Sequence, residues 1–202
     1  MARMPPIVEL RQYLLHPGQR DKLIALFDRE FVESQEEVGI DVIGQFRDLD
    51  RPDHFVWLRG FNNMLARRAA LQMFYGGPVW AAHRDAANAT MVDSDDVLLL
   101  KPVASYATRE ADQGLIVVTV HALAELQDAR IVEGALVRCG GELIASFVTE
   151  ASENNFPRLP VREGENVAVC IARLPDDAQL PRGLPGEMQV MRLKPTQRSL
   201  LR

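Results

Sequence analysis

Two short runs carry the residues best placed to do chemistry. In the first, Glu9, Arg11 and Tyr13 alternate; in the second, Trp57, Arg59 and Phe61 do. Alternate residues of a strand leave it on one face, so each run presents its polar and aromatic groups together. A guanidinium among rings is poorly hydrated and needs an anion or a ring face. Arg11 or Arg59 can therefore hold a carboxylate, phenolate or enolate, with Glu9 or His83 moving a proton. His83 follows Trp80 by three residues and precedes Arg84, on a helical stripe of 80, 83, 84, 87 and 88. Imidazole serves equally as general base or haem ligand. The expected catalytic residues are thus His83, Glu9 and Arg59. The expected ligand-binding residues are Arg11, Tyr13, Gln45, Trp57, Phe61, Tyr75, Trp80 and Arg84. A structural reading stands beside this one: Glu9 pairs with Arg11 or Arg59 and no charge is left for a ligand.

Elements that could position these groups follow from periodicity. Residues 7 to 14 alternate as a strand. Pro17-Gly18 opens a helix in which Leu23, Phe27 and Phe31 recur at i+4, with Gly39 as its left-handed stop. Residues 41 to 48 and 54 to 61 form a hairpin about Asp50-Arg51-Pro52-Asp53. Asn62 or Asn63 caps a helix to about Phe74, Gly76-Gly77 ends it, and Pro78 starts another to about Asn88. A strand from Asp96 to Lys101 closes the unit before Pro102. The acidic run Asp93 to Asp96 lacks calcium-loop spacing and reads as a turn and cap, so no metal site is expected. This βαββαβ order, with one added helix, is the ferredoxin-like motif.

The second half is a degenerate copy: a strand over 115 to 120, a helix over 125 to 139 stopped by Gly140-Gly141, and strands over 142 to 149, 166 to 173 and 187 to 193. Pro175, Pro181, Gly183 and Pro185 leave little room for its second helix. Residues 150 to 165 read as a long polar loop. The expected domains are 1–104 and 105–202, meeting near residues 103 to 113. Since Phe55, Trp57 and Phe61 would make an exposed aromatic face, a second sheet is expected to cover it, with Glu9, Arg11, Tyr13, Gln45, Arg47 and Arg59 facing the interior. The fold class is α+β: tandem ferredoxin-like βαββαβ halves packed sheet to sheet as an α+β barrel. Free outer edges of the two sheets make a homodimer the expected oligomer.

Composition bounds the rest. With 47% hydrophobic and 25% charged residues the 202-residue chain can bury a core. A net charge of −5 lacks the basic stripe that nucleic acid requires. Charges interrupt every apolar run before about 18 residues, so no membrane partner is expected and the reading is cytoplasmic. Cys139, at a helix end, and Cys170, inside a strand, read as reduced thiols. His16, His54 and His121 read as surface residues. No Gly-rich phosphate loop, nucleophile elbow or zinc signature is present.

Several runs together resemble the NIPSNAP family over roughly residues 7 to 103. These are Val8-Glu9-Leu10-Arg11-Gln12-Tyr13, Pro17-Gly18, Gly44-Gln45-Phe46, Phe55-Val56-Trp57-Leu58-Arg59-Gly60-Phe61 and, most specifically, Phe74-Tyr75-Gly76-Gly77-Pro78-Val79-Trp80. The resemblance implies a ferredoxin-like fold of the dimeric α+β barrel type, related in shape to small cofactor-free monooxygenases and to chlorite-dismutase-like haem proteins. It implies no catalytic mechanism and no catalytic residues. Three functions remain. One is an enzyme, expected to need no cofactor, that binds a small aromatic or carbonyl compound in the barrel for oxygenase or isomerase chemistry. The second is a non-catalytic binding or interaction module. The third is a haem protein, which requires an axial ligand facing a porphyrin-sized cavity. A partly polar cavity beside Tyr13, Trp57 and Arg59 favours the first; a fully packed barrel favours the second.

Overall fold

The computed structural model describes residues 4–106, 114–122, 126–180 and 184–201. Strand β1 (Ile7–Leu15) leads into α1 (Arg20–Leu26), a π-helical turn (Phe27–Phe31) and α2 (Val32–Glu36). Gly39, at φ +86°, stops this helical segment as its sequence position requires. The π-helical turn was not foreseen; it lies where Phe27 and Phe31 are both buried. Strands β2 (Asp41–Asp48) and β3 (His54–Phe61) form the antiparallel hairpin. Asp48 Oδ1 holds the turn by accepting from the backbone N–H of Asp50 and of Arg51. Asn63 caps α3 (Met64–Gly76), its side-chain oxygen accepting from the Ala66 N–H at 2.8 Å. Pro78 opens α4 (Pro78–Asn88), and β4 (Met91–Ser105) ends the half.

Strand β4 is longer than expected at both ends. The acidic run lies within it, not in a turn before it. The register against β1 slips between Gln12 and Leu14, where they face Asp96 and Asp93, and Asp93 Oδ1 accepts from the Asp95 N–H at 2.8 Å. A bulge thus gives those aspartates the turn-like bonding that their composition suggested. Pro102 does not stop the strand either, because it sits at a second register shift, where a missing N–H is tolerated.

The second half is β5 (Leu115–Ala122), α5 (Leu126–Arg138), β6 (Glu142–Thr149), β7 (Val167–Leu174) and β8 (Glu187–Pro195). No helix separates β7 from β8 among the described residues, as the prolines suggested. Glu125, most of the join between the halves, and the pair Pro181 and Gly183 lie outside the described residues. Among the described residues, no helix is long and apolar enough to cross a membrane.

Each half orders its strands as a ferredoxin-like sheet, β4-β1-β3-β2 and β8-β5-β7-β6, and the two join into a closed eight-stranded barrel. Closure comes from β2 against β8 over Phe46–Asp48 and from β4 against β6 over Leu100–Ser105. These pairings occupy the edges whose exposure had been the reason to expect a homodimer.

The faces are assigned the opposite way from the sequence expectation. Val8, Leu10, Val56, Leu58, Leu98 and Leu100 point into the barrel and meet Ile116, Val118, Phe147, Val169, Ile171 and Leu193 of the second half. The other set, including Tyr13, Phe55, Trp57 and Phe61, points outward under α1, the π turn and α3. An eight-stranded barrel is only wide enough to be filled by its own side chains, so its lumen takes mainly branched aliphatics, with Phe46 and Phe147 the two aromatic rings among them. The bulkier aromatic face must therefore go to the helices. The second sheet covers the aliphatic face instead, and the aromatic one is never exposed.

This assignment predicts the behaviour of the first half by itself. Expressed alone, residues 1–104 expose Val8, Leu10, Val56, Leu58 and Leu98 and two unpaired sheet edges. They should self-associate, measured by light scattering across micromolar concentrations. A folded, monodisperse monomer would contradict the lumen assignment.

Candidate functional site

On the outer face of the first sheet, pairing places Glu9 opposite Arg59 and Arg11 opposite Trp57. All four are buried. Glu9 Oε2 accepts from Arg11 Nη1 and from Arg59 Nε, each at 2.7 Å, and Oε1 accepts from Arg67 Nε at 2.7 Å. Arg67 comes from α3, where it shares the buried stripe with Ala70, Leu71 and Phe74. One carboxylate thus serves three guanidiniums. Burial works against its charge, but Arg59, Arg11 and Arg67 overcome that and hold Glu9 well below the ordinary carboxylate range.

The guanidiniums have further partners. Arg11 Nε donates to the Tyr13 hydroxyl at 3.2 Å, and Arg59 Nη1 reaches Gln35 Oε1 and the Tyr75 hydroxyl, both at 3.4 Å. Arg67 Nη1 donates to Asn154 Oδ1 at 3.1 Å and Asn155 Oδ1 at 2.8 Å. The Cζ of Arg11 and of Arg59 lie 5.6 and 5.2 Å from the Trp57 ring, within cation–π range. Burial pushes the Tyr13 hydroxyl above its ordinary range although Arg11 pulls it down, so it stays a proton donor.

Beside this cluster, between the sheet and the helices, lies a cavity of about 90 Å³. Its walls are Tyr13, Phe27, Phe31, Trp57, Phe74, Tyr75 and Trp80 with Leu23 and Leu159; Arg11 and Gln35 are its buried polar groups. Asn88, exposed, and the half-buried Met91 and Ser94 form its outer side. The Trp57 indole N–H is buried without an acceptor.

Of the sequence candidates, Arg11, Tyr13, Trp57, Tyr75 and Trp80 meet at the cavity. Glu9, Arg59 and Phe61 stand behind it, Arg59 Cζ lying 5.7 Å from the Phe61 ring. Arg59 has Glu9 as its anion, which is the structural one of the two readings. Gln45 is drawn away by the C-terminal segment: its Oε1 accepts from Thr196 Oγ1 at 3.1 Å. His83 packs edge-on against Phe31 with Nε2 3.3 Å from Glu30 Oε2, and Arg84 pairs with Asp85 at 3.4 Å; neither lines the cavity. Arg47 pairs with Asp21 at the surface. His121, expected at the surface, is buried with Nδ1 3.0 Å from the Pro185 carbonyl, and burial lowers its proton affinity. The interior expected to hold these groups holds apolar side chains, mainly aliphatic.

Three contributors escaped the sequence reading. Arg67 had a usable signal, since it occupies the apolar stripe of its helix at i, i+3, i+4 and i+7 with Ala70, Leu71 and Phe74. Phe27 and Phe31 were legible as core but not as walls. The long loop after β6 had no signal: Asn154 and Asn155 bind Arg67, Phe156 stacks on Tyr75 at 6.1 Å, and Leu159 reaches the cavity. The loop follows the β4 edge beyond the end of β6, where the Glu150 and Arg162 N–H groups donate to the Leu99 and Val97 carbonyls.

Fold and site together define a single-chain α+β barrel of two ferredoxin-like halves, with a polar-floored cavity between the first sheet and its helices. Residues 8–106 match the NIPSNAP family model, so the first half is a NIPSNAP domain. No curated protein sequence matches the chain. Two solved structures, each provisionally described as a monooxygenase, align along nearly the whole chain. The protein from Lactobacillus acidophilus NCFM is 15% identical with a TM-score of 0.59, covering 95% of this chain and 94% of that one. The protein from Fusobacterium nucleatum is 10% identical with a TM-score of 0.60, covering 96% and 94%. An uncharacterised NIPSNAP domain protein from Burkholderia xenovorans is 16% identical over 50% of this chain and 99% of its own, with a TM-score of 0.46. At such identities the likeness shows the fold.

Two measurements check the electrostatics. Glu9→Gln leaves three buried guanidiniums without a counterion and should cost about 3–5 kcal/mol in urea unfolding. Arg11→Met, Arg59→Met and Arg67→Met should each cost less, because the carboxylate keeps two partners; equal costs would refute the charge excess. The second is pH dependence. Glu9 is depressed in the folded state relative to its unfolded value of 4.5, so its stabilisation is complete above that value. It is lost progressively as pH falls below 4.5 towards the folded value. Stability curves of the native chain and Glu9→Gln should therefore converge on acidification below pH 4.5.

Proposed function

We propose that the chain binds a small carbonyl or aromatic compound as its anion, in the cavity between the first sheet and its helices. The observation that carries this reading is Arg11. It lines an aromatic-walled cavity, and the one carboxylate bound to it is shared with two more buried arginines. Charge left over from such sharing favours an anion, and low-dielectric walls strengthen the attraction.

Size narrows the ligand. A cavity of about 90 Å³ is smaller than the roughly 150 Å³ that accepts benzene. A compound of a few carbons fits as the walls stand; a whole ring needs half-buried Trp80 or Met91 to give way. The cavity also limits the chemistry. Among the described residues, its lining offers proton donors in Arg11, Tyr13 and Trp57 but no carboxylate or imidazole. Glu9 is saturated by arginines and holds its proton too weakly to act as a base near neutral pH. The site therefore suits stabilisation of an enolate or phenolate whose proton leaves by the ligand's own acidity, the first step of cofactor-free oxygenase or isomerase chemistry. The two barrels provisionally described as monooxygenases support that direction by fold alone.

The packed lumen favours the rival reading, a non-catalytic interaction module, but the cavity outside it is unfilled. A haem is poorly accommodated: ligand pockets of even drug size run to about 300 Å³ and above, and no described histidine lines this one. A homodimer, with the sheet edges paired inside the chain, would use the outer helices, where Leu65 and Met73 are exposed on α3. Two free cysteines accord with a cytoplasmic setting.

Both tryptophans of the chain line the cavity, so intrinsic fluorescence reports its occupancy directly. Titration with pyruvate and with benzoate should give a saturable change for at least one of them. Arg11→Met should weaken that response at least tenfold while remaining folded by circular dichroism. A response unaltered in Arg11→Met would refute the reading.

A further inference from the structure

We infer that the ligand of this site carries two negative charges within a few bonds of each other: a short organic dianion with two carboxylates, or one carboxylate beside an ionised hydroxyl. The inference rests on the proposed anion site and specifies its substrate class.

Charge counting is the first support. Arg11, Arg59 and Arg67 are each no more than 1% exposed, and among the described residues Glu9 is the one carboxylate that pairs with them. Three positive charges against one leave an excess of two inside the protein, where each unmatched charge is costly. The Tyr13 hydroxyl, on Arg11, does not supply a missing anion, because its burial favours the protonated form.

Hydrogen-bond inventory is the second support and is independent of charge. Arg59 Nη2, Arg67 Nη2 and Trp57 Nε1 are buried without partners. All three are donors. Of the three, Trp57 belongs to the cavity wall and its N–H can meet an acceptor oxygen there, while the two guanidiniums leave their spare charge behind that wall.

Position decides how the charge is felt. Arg11 lines the cavity and can meet one anionic group directly. Arg59 stands behind the wall, its Cζ 5.2 Å from the Trp57 ring and 5.9 Å from the Tyr75 ring, and both rings line the cavity. Its charge acts across those rings, in a medium that screens far less than water. The second negative charge therefore belongs on the part of the ligand nearest Trp57 and Tyr75, not at the mouth near Asn88 and Ser94. The volume of about 90 Å³ keeps the two groups close together.

An isosteric series on the native chain tests this without any variant. Oxalate, oxamate and oxamide share one planar shape and carry two, one and no negative charges. Binding is followed by tryptophan fluorescence in metal-free buffer at constant ionic strength. The expected order is oxalate, then oxamate, then oxamide, with oxalate at least tenfold tighter than oxamate. Equal binding of oxalate and oxamate would overturn the dianion while leaving the anion site standing. Binding of oxamide as tight as the others would remove both. Absence of binding by all three, when pyruvate or benzoate still binds, would overturn the dianion alone. As a second readout, Arg67→Met lowers the excess by one without touching the cavity, and should shrink the oxalate-to-oxamate ratio at least threefold. An unchanged ratio in a folded Arg67→Met would count against the charge excess as its cause.

Discussion

A single buried carboxylate shared among three guanidiniums governs the outer face of the first sheet. Glu9 joins β1 to β3 through Arg59, to α3 through Arg67, and to the cavity through Arg11. Each arginine alone would be intolerable in so apolar a setting. Together they are tolerable only because Glu9 is there, and because Tyr13, Tyr75, Gln35, Asn154 and Asn155 take up other N–H groups. The cluster does not explain stability as a hydrophobic core would, since well-packed apolar residues of like volume generally serve as well or better. On the proposed reading its role is to hold a fixed positive potential beside the aromatic walls.

Closure of the barrel is what allows that arrangement. Two ferredoxin-like sheets each have one apolar face to hide and two edges to pair, and joining them in one chain satisfies both needs at once. The lumen is then filled by apolar side chains. The aromatic-walled cavity lies instead in the layer between sheet and helices. There the π-helical turn at Phe27–Phe31 sets one ring against each tryptophan, Phe27 at 4.8 Å from Trp57 and Phe31 at 5.6 Å from Trp80.

Much of this was legible in the residues before any coordinates. The alternation of β1 and β3 gave the pairing of polar and aromatic groups, and Gly39, Asn63 and Pro78 marked helix boundaries for stated stereochemical reasons. What could not be read was which face of β3 goes inward. Phe55, Trp57 and Phe61 on one side and Val56, Leu58 and Gly60 on the other are both apolar, so alternation fixes the two sets but not their destinations. The lumen's limited width decides, and that is a property of strand number. Likewise Asn154 and Asn155 read as loop residues because their bonds to Arg67 span 87 and 88 positions. Arg67 itself was visible as a charge on an apolar stripe, an anomaly whose explanation lies in a strand 58 residues away.

The two halves share a fold and have divided its tasks. The outer face of the second sheet, with Leu115, Val117, Cys170, Ala172 and Leu174 against Val132 and Leu136 of α5, is an aliphatic satellite core. Burial pushes the Cys170 thiol up to about 12, which disfavours its thiolate near neutral pH. The first half has ten of the thirteen aromatics and the arginine cluster. Yet the second half is not only a partner sheet, because its loop after β6 crosses to Arg67 and Tyr75 and places Leu159 in the cavity wall. Moving that loop would remove two acceptors from Arg67 and leave more of its charge to Glu9, which in turn would hold Arg11 less firmly. On the proposed reading, a ligand anion on Arg11 would compete for the same guanidinium from the other end. Glu9 would then link occupancy of the cavity to the seating of a loop from the opposite half by electrostatics, with no change needed in the barrel between them.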